Sequence, residues 1–347
     1  MNAKRWTKHT PTLGAAMLIP VWLWSLTMGA IEIAPKDAVV AVWDKLTGRP
    51  ARRPAAEIVT EIRMPRVAMA TLTGAALALS GAALQGLFRN PLAEPSLIGV
   101  SSGATLGAVF FIVYLEDWIR AQCPTWALKF ALPTTAFIFA LAVTHAVMRL
   151  SSRKGQTSIV ALLLTGVAAN AWIGAMVGLM FYLGTDAQIR AITFWTLGGL
   201  SGSNWWNVGI LTAFMTIALA VYASRLSSAL NVLSLGEAEA QHLGMDVEKI
   251  KRRTVTMAAL AVGASTAFTG LIGFVGLIIP QMLRLWLGPD HKTLLPAAAL
   301  YGALFLPLAD AAARTMAAPA ELPLGILTAA IGAPVFLILL RKNIHEG

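Results

Sequence analysis

Charge is what this chain has little of. Only 13% of its 347 residues are Asp, Glu, Lys or Arg, while 57% are hydrophobic. A soluble domain carries roughly one quarter charged residues. The deficit excludes an ordinary water-facing surface and fits a polytopic membrane protein whose charges are confined to loops. Cysteine is reduced to Cys123, which excludes an intrachain disulfide and a cysteine-built metal centre. The histidines, His9, His145, His242, His291 and His345, never recur at i, i+4. No helix face therefore offers two imidazoles to a metal, and no metal site is expected. A GxxxxGK[ST] phosphate loop is also missing, so the chain does not hold ATP by that route and no cofactor is expected on it.

Acid is scarcer than base, with 17 Asp and Glu against 27 Lys and Arg, a net charge of +10. In a membrane protein this is the familiar cytoplasmic Lys/Arg excess, and it does not call for a nucleic acid. Nearly every carboxylate falls in a loop or at the end of an apolar run. A proton-coupled carrier places carboxylates within several spans. Their scarcity weighs against an ion-coupled secondary transporter or channel and favours a permease driven by a separate ATPase.

Apolar runs approaching the roughly 20 residues needed to cross a bilayer fall at about 12–31, 67–87, 97–115, 129–149 and 159–183, then 206–223, 254–271, 273–287, 294–313 and 323–340. Only a Gly-rich turn near Gly270–Gly273 parts the seventh from the eighth, so nine is conceivable; ten is the reading. It makes residues 1–347 one all-α membrane domain of about ten transmembrane helices. Lys4, Arg5 and Lys8 ahead of the first run mimic a signal peptide, but the many later spans favour a first transmembrane helix. Ten spans put both termini on one side. Assigning that side to the cytoplasm places most Lys and Arg there, Arg149, Arg153, Lys154, Lys249, Lys251, Arg252 and Arg253 among them. One external basic cluster remains unexplained by that rule: Arg49, Arg52, Arg53, Arg63 and Arg66.

Four segments are not simply lipid-facing. Residues 231–253 form the longest polar interruption. Ser234 with Glu237 three residues later resembles a capping box, Gly244 suits a helix end, and Asp246 suits a second cap. From pattern alone this is either a solvated loop or a docking element for a soluble cytoplasmic partner. Arg89 to Pro95 holds Pro91 and Pro95, which stop a helix, and Asn90, which can satisfy freed backbone groups; a gate constriction or a plain turn would both fit. The run Gly184–Arg190 ends span five, and Gly198, Gly199 and Gly202 break the helix after it. Trp195, Trp205 and Trp206 suit an interface belt or an aromatic ligand contact, and Arg190 either meets an anionic substrate or snorkels. Within the spans, His145 reads as a hydrogen-bonded packing residue, and Asp310 with Arg314 as a helix pair at i, i+4.

The stretch Arg63-Met-Pro-Arg66, Gly81-Ala-Ala-Leu-Gln85, Asn90-Pro-Leu-Ala-Glu-Pro95 and Gly99-Val-Ser-Ser-Gly-Ala104 resembles the FecCD family. So do Leu235-Gly-Glu-Ala, Gly273 to Pro280, Asp310 to Arg314, Leu322 to Thr328 and Gly332-Ala-Pro334, in the expected order over most of the chain. These are permease subunits of type II ABC importers for iron-siderophores, heme and cobalamin. The resemblance implies that fold, a homodimer with the pathway on its two-fold axis, and two cytoplasmic ATPases carrying ATP and Mg. It also implies a periplasmic binding protein and a bacterial inner (plasma) membrane location. Arg63, Arg66 and Arg314 match arginines that receive acidic knobs of the binding protein. Asn90 and Leu92 match one cytoplasmic gate, and Gln156, Thr157 and Ser158 the other. Leu235, Gly236, Glu237, Ala238 and Gly244, within 231–253, match the coupling helices that enter an ATPase groove. Gln85, Arg190 and Trp195 would border the pathway.

Two places depart from the family pattern. Pro280-Gln281-Met-Leu-Arg284 stands where Pro-His-x-x-Arg is usual, so no imidazole acts there, and Gly198-Gly199-Leu200 replaces a frequent Gly-Ser-Leu. Asp186-Ala-Gln-Ile-Arg190 followed by Ala-Ile-Thr-Phe-Trp195 is most similar to heme permeases, with Arg190 suited to heme propionates. Anionic ferric siderophores satisfy the same charge; heme is the reading, with a ferric siderophore or cobalamin as the alternative.

Overall fold

A computed structural model describes residues 3–49 and 54–345. Arg52 and Arg53 of the external cluster lie outside the described residues, as do the side chains of Lys4, Arg5, Lys8, Arg225 and Lys342. The polypeptide is a bundle of fourteen helices among the described residues. Ten follow the apolar runs of the sequence: α1 (Ala3–Thr27), α3 (Ala55–Phe88), α4 (Val100–Gln122), α5 (Thr125–Leu150), α6 (Ile159–Leu183), α8 (Trp205–Val221), α11 (Val247–Thr269), α12 (Val275–Leu287), α13 (His291–Met316) and α14 (Leu324–His345). By length and composition, α3, α4, α5, α6 and α13 are sufficient to cross a membrane. Shorter apolar helices lie at Thr12–Thr27, Trp205–Val221, Val275–Leu287 and Leu324–Leu339. The four extra helices are α2 (Pro35–Leu46), α7 (Asp186–Leu197), α9 (Ser227–Leu233) and α10 (Glu237–His242).

Helix α3 is apolar on every side and correspondingly central. Its Gly and Ala residues let whole backbones meet. A Cβ on Gly74 would overlap the Gly302 carbonyl of α13, and one on Gly81 would overlap the Gly276 carbonyl of α12. Without a hydrophobic driving force in lipid, such close packing is what holds helices together. Helix α13 runs antiparallel along α3, α4 packs on α5, and α11 fills the space between α3 and α5. Helix α6 is the opposite case, with a mean hydropathy of 1.9 yet only 17% of its apolar window buried.

Pro280 inside α12 removes the N–H that would bond the Gly276 carbonyl. Gln85 on α3 supplies the replacement, its Nε2 donating to Gly276 O at 3.4 Å and Leu277 O at 3.3 Å. The Gly270–Gly273 turn does separate α11 from α12, because Gly270 takes φ +68° and the helix stops at Thr269. Three sequence expectations change. Ser234 does not open a capping box: its hydroxyl donates back to Asn231 O at 2.6 Å, and Gly236 precedes α10 without a side-chain cap. The segment after span five is not merely a break, since Thr185 and Gln188 form a capping box that starts α7. His145 is exposed on α5 and does not pack inside.

Candidate functional site at the two ends of the bundle

Arg66 and Phe88 stand on the same helix, about 33 Å apart at 1.5 Å per residue, a distance close to a bilayer's hydrocarbon thickness of ~30 Å. Polar clusters gather at each end. At the first, a π-helical turn over Ile58–Arg63 lies near the start of α3, and Pro65 just beyond it brings no N–H to the carbonyls of that turn. The Trp205 indole takes one of them, donating to Thr60 O at 3.1 Å. Asp310, fully buried, receives Arg66 Nη2 at 2.9 Å and lies 3.0 Å from Arg314 Nε. Arg66 Nη1 also donates to Glu321 at 2.8 and 3.0 Å, and that carboxylate side chain is 48% exposed.

The remaining donors fasten the turn that follows α1. Arg63 Nη1 reaches Leu26 O at 2.6 Å and its Nη2 reaches Ile31 O. Arg314 donates to Met28 O at 2.8 Å and Ser25 O at 3.0 Å. The arginines read from sequence as an open external cluster are therefore divided. Arg49 is exposed, whereas Arg63 and Arg66 are buried, as is Arg314 of α13 from outside that cluster. Burying a guanidinium is unfavourable unless it is paired and hydrogen-bonded, and Asp310 with the backbone carbonyls meets that need. Only the Glu321 leg of the network faces outward.

At the other end, α3 stops with Arg89 in the left-handed region (φ +49°) and the Asn90 N–H donating to Gln85 O at 3.2 Å. That is the Schellman arrangement. Asn90 Oδ1 then accepts from Leu92 N at 2.9 Å, as expected of an Asx turn that replaces lost helix bonds. Across a groove stands a hairpin the sequence reading missed, β1 (Ser152–Arg153) and β2 (Gln156–Thr157), joined by Lys154 and Gly155 at φ +53° and +81°. Two successive positive φ values make a type I′ turn, and Lys-Gly between short polar pairs was the available signal. Ser158 caps α6, accepting from Ala161 N at 3.4 Å.

The groove has a volume of about 820 Å³ and is lined by Arg89, Gln156, Thr157, Ser158, Glu237 and Lys251, among others. It brings the 156–158 segment and the 231–253 element together. Asn90 and Leu92 are adjacent to it without lining it. Within the element, Leu235 is 67% exposed, Ala238 is exposed, and Gly236 and Gly244 turn the chain at φ +136° and +77°. Asp246 caps α11 through Lys249 N at 3.0 Å, as the sequence indicated. Asp290, before α13, is partly desolvated, which pushes its carboxyl up. Hydrogen bonds from Asn231, the Lys292 amide and Thr293 prevail and hold it below the usual carboxylate range.

The expected pathway residues do not meet. Arg190 is exposed on α7 and Trp195 is half-buried against the core. Gln85 is 1% exposed and engaged by α12 and by Arg284 Nη2 at 3.5 Å. Gln85 faces protein, its amide held by the Gly276 and Leu277 carbonyls beside Pro280.

The FecCD transport family matches residues 17–342. The chain is 38% identical to the hemin transport system permease protein HmuU of Yersinia pestis over 94% of its length and 93% of that protein's. It is 40% identical to the vitamin B12 import system permease protein BtuC of Citrobacter koseri over 98% of its length and 96% of that protein's. A solved inward-facing metal-chelate type ABC transporter superposes with a TM-score of 0.82 at 31% identity, covering 96% of this chain and 98% of that one.

Proposed function

The chain belongs to the FecCD transport family, and from that premise we propose that it is the permease subunit of an ATP-driven importer carrying hemin inward across a bacterial inner membrane. The carrying observation is the division of labour along α3: a buried arginine network at one end, and at the other a groove where the 156–158 segment meets the polar 231–253 element. In this reading both termini are cytoplasmic. Two ATPase subunits dock on Leu235, Gly236, Glu237, Ala238 and Gly244 and hydrolyse ATP with Mg, so the chain is itself no enzyme. Asn90, Leu92 and Gln156 to Ser158 close the inner end. A periplasmic binding protein presents acidic groups to the Arg63, Arg66 and Arg314 end, where Arg66 is reachable only by displacing Glu321. A second copy faces the exposed apolar side of α6, and the pathway runs between the copies.

Hemin is supported by the likeness to HmuU over nearly the whole chain and by Arg190 and Trp195 on α7. Cobalamin is the second reading, since the relative from Citrobacter koseri matches at least as fully. The test is uptake into proteoliposomes holding the chain, its ATPase and a loaded binding protein. ATP-dependent accumulation of hemin but not cyanocobalamin is the expected result. Accumulation of cyanocobalamin alone reverses the cargo, and uptake that follows an ion gradient without any ATPase overturns the importer.

A further inference from the structure

Lys251 is buried, with 5% of its side chain exposed. Its Nζ donates to Glu237 Oε2 at 2.7 Å, Glu248 Oε1 at 3.1 Å and the Thr157 backbone carbonyl at 2.6 Å. All three ammonium donors are thus used, and each goes to a different element. Glu237 is the first residue of α10, Glu248 lies in the first turn of α11, and Thr157 ends β2 beside the Ser158 cap of α6. Thr157 is tied to the other strand of the hairpin, its hydroxyl 2.7 Å from Ser152 Oγ.

We propose that Lys251 is the positioning residue that transmits displacement of the α10 element to the hairpin and to the start of α6. The inference rests on the importer reading, in which α10 meets the ATPase and 156–158 closes the pathway. A lysine suits this place because a point charge on a flexible stem can hold two carboxylates and a carbonyl while the elements shift. A purely structural anchor would have been better served by apolar packing, since buried ion pairs seldom add net stability over hydrophobic replacements. The two carboxylates are about one third exposed, at 34% and 31%, so water takes them over if the ammonium is removed. Lys251→Met therefore folds, keeps its stem packing and loses only the tie.

The experiment uses the full chain with Cys123→Ser and spin labels at Lys154→Cys and Gln241→Cys, both exposed positions, assembled with its ATPase in proteoliposomes with hemin as the probe. The label-to-label distance is expected to be narrow and ATP-responsive in the parent, and broad and unresponsive with Lys251→Met. Hemin imported per ATP should fall roughly tenfold, within the range of coupling between distant sites, while ATP hydrolysis persists. Lys251→Arg should restore both readouts in large part. An unchanged distance distribution with Lys251→Met, or an unchanged hemin-to-ATP ratio, overturns the proposal. If the parent imports no hemin, the hemin reading fails, the ratio is read with cyanocobalamin instead, and the distance comparison still decides whether Lys251 ties α10 to the hairpin.

Discussion

At the scale of single residues, Asp310 holds the arginine end together. It is the buried anion common to Arg66 and Arg314. Asp310→Asn keeps its shape and leaves two guanidinium groups without a buried counter-charge, which should cost about 3–5 kcal/mol. Glu321→Gln removes a carboxylate that is half in water and should cost under about 1 kcal/mol. Thermal unfolding of the two variants in detergent checks the contrast, and equal losses would show that the Asp310 pairing is not what stabilises this end. The sequence made the Asp310–Arg314 pair legible through its i, i+4 spacing. Arg66 meeting Asp310 across 244 positions was not legible, because spacing carries no information about which helices become neighbours. The arginines read as surface charges for the same reason.

At the scale of elements, the nine connections between the ten apolar runs could be placed from composition alone, yet their internal structure could not. The helices α2 and α7 lie in stretches too polar or too short to register as spans. The Thr185 to Gln188 capping box was nevertheless written in the residues. Ser234 misled because it satisfies the same pattern as a cap while ending α9 instead. The hairpin depends on its turn: Gly155 at φ +81° has no steric objection to that conformation, whereas a branched L-residue pays roughly 1–2 kcal/mol in the left-handed region. Gly155→Val should therefore loosen residues 152–157 and speed their amide hydrogen exchange, with α3 and α13 unaffected. Protection unchanged at Thr157 would mean that Lys251, not the turn, holds the hairpin in place.

At the scale of the whole molecule, hydropathy gave the ten-span bundle and motif order gave the family, because bilayer thickness and backbone satisfaction leave few alternatives. The helix partners were out of reach of the sequence, since small residues mark a helix that can be approached closely but not the helix that approaches it. Gly74 and Gly302 bring α3 and α13 into backbone contact where they cross, a close packing that resists sliding. The pair is thereby suited to act as a stator, with the parts that move in a transport cycle expected to rotate or tilt around it. Labels placed on α3 and α13 should accordingly keep one distance through ATP binding and hydrolysis, while those on the hairpin and α10 do not, and a changing α3–α13 distance would show that the bundle has no fixed axis.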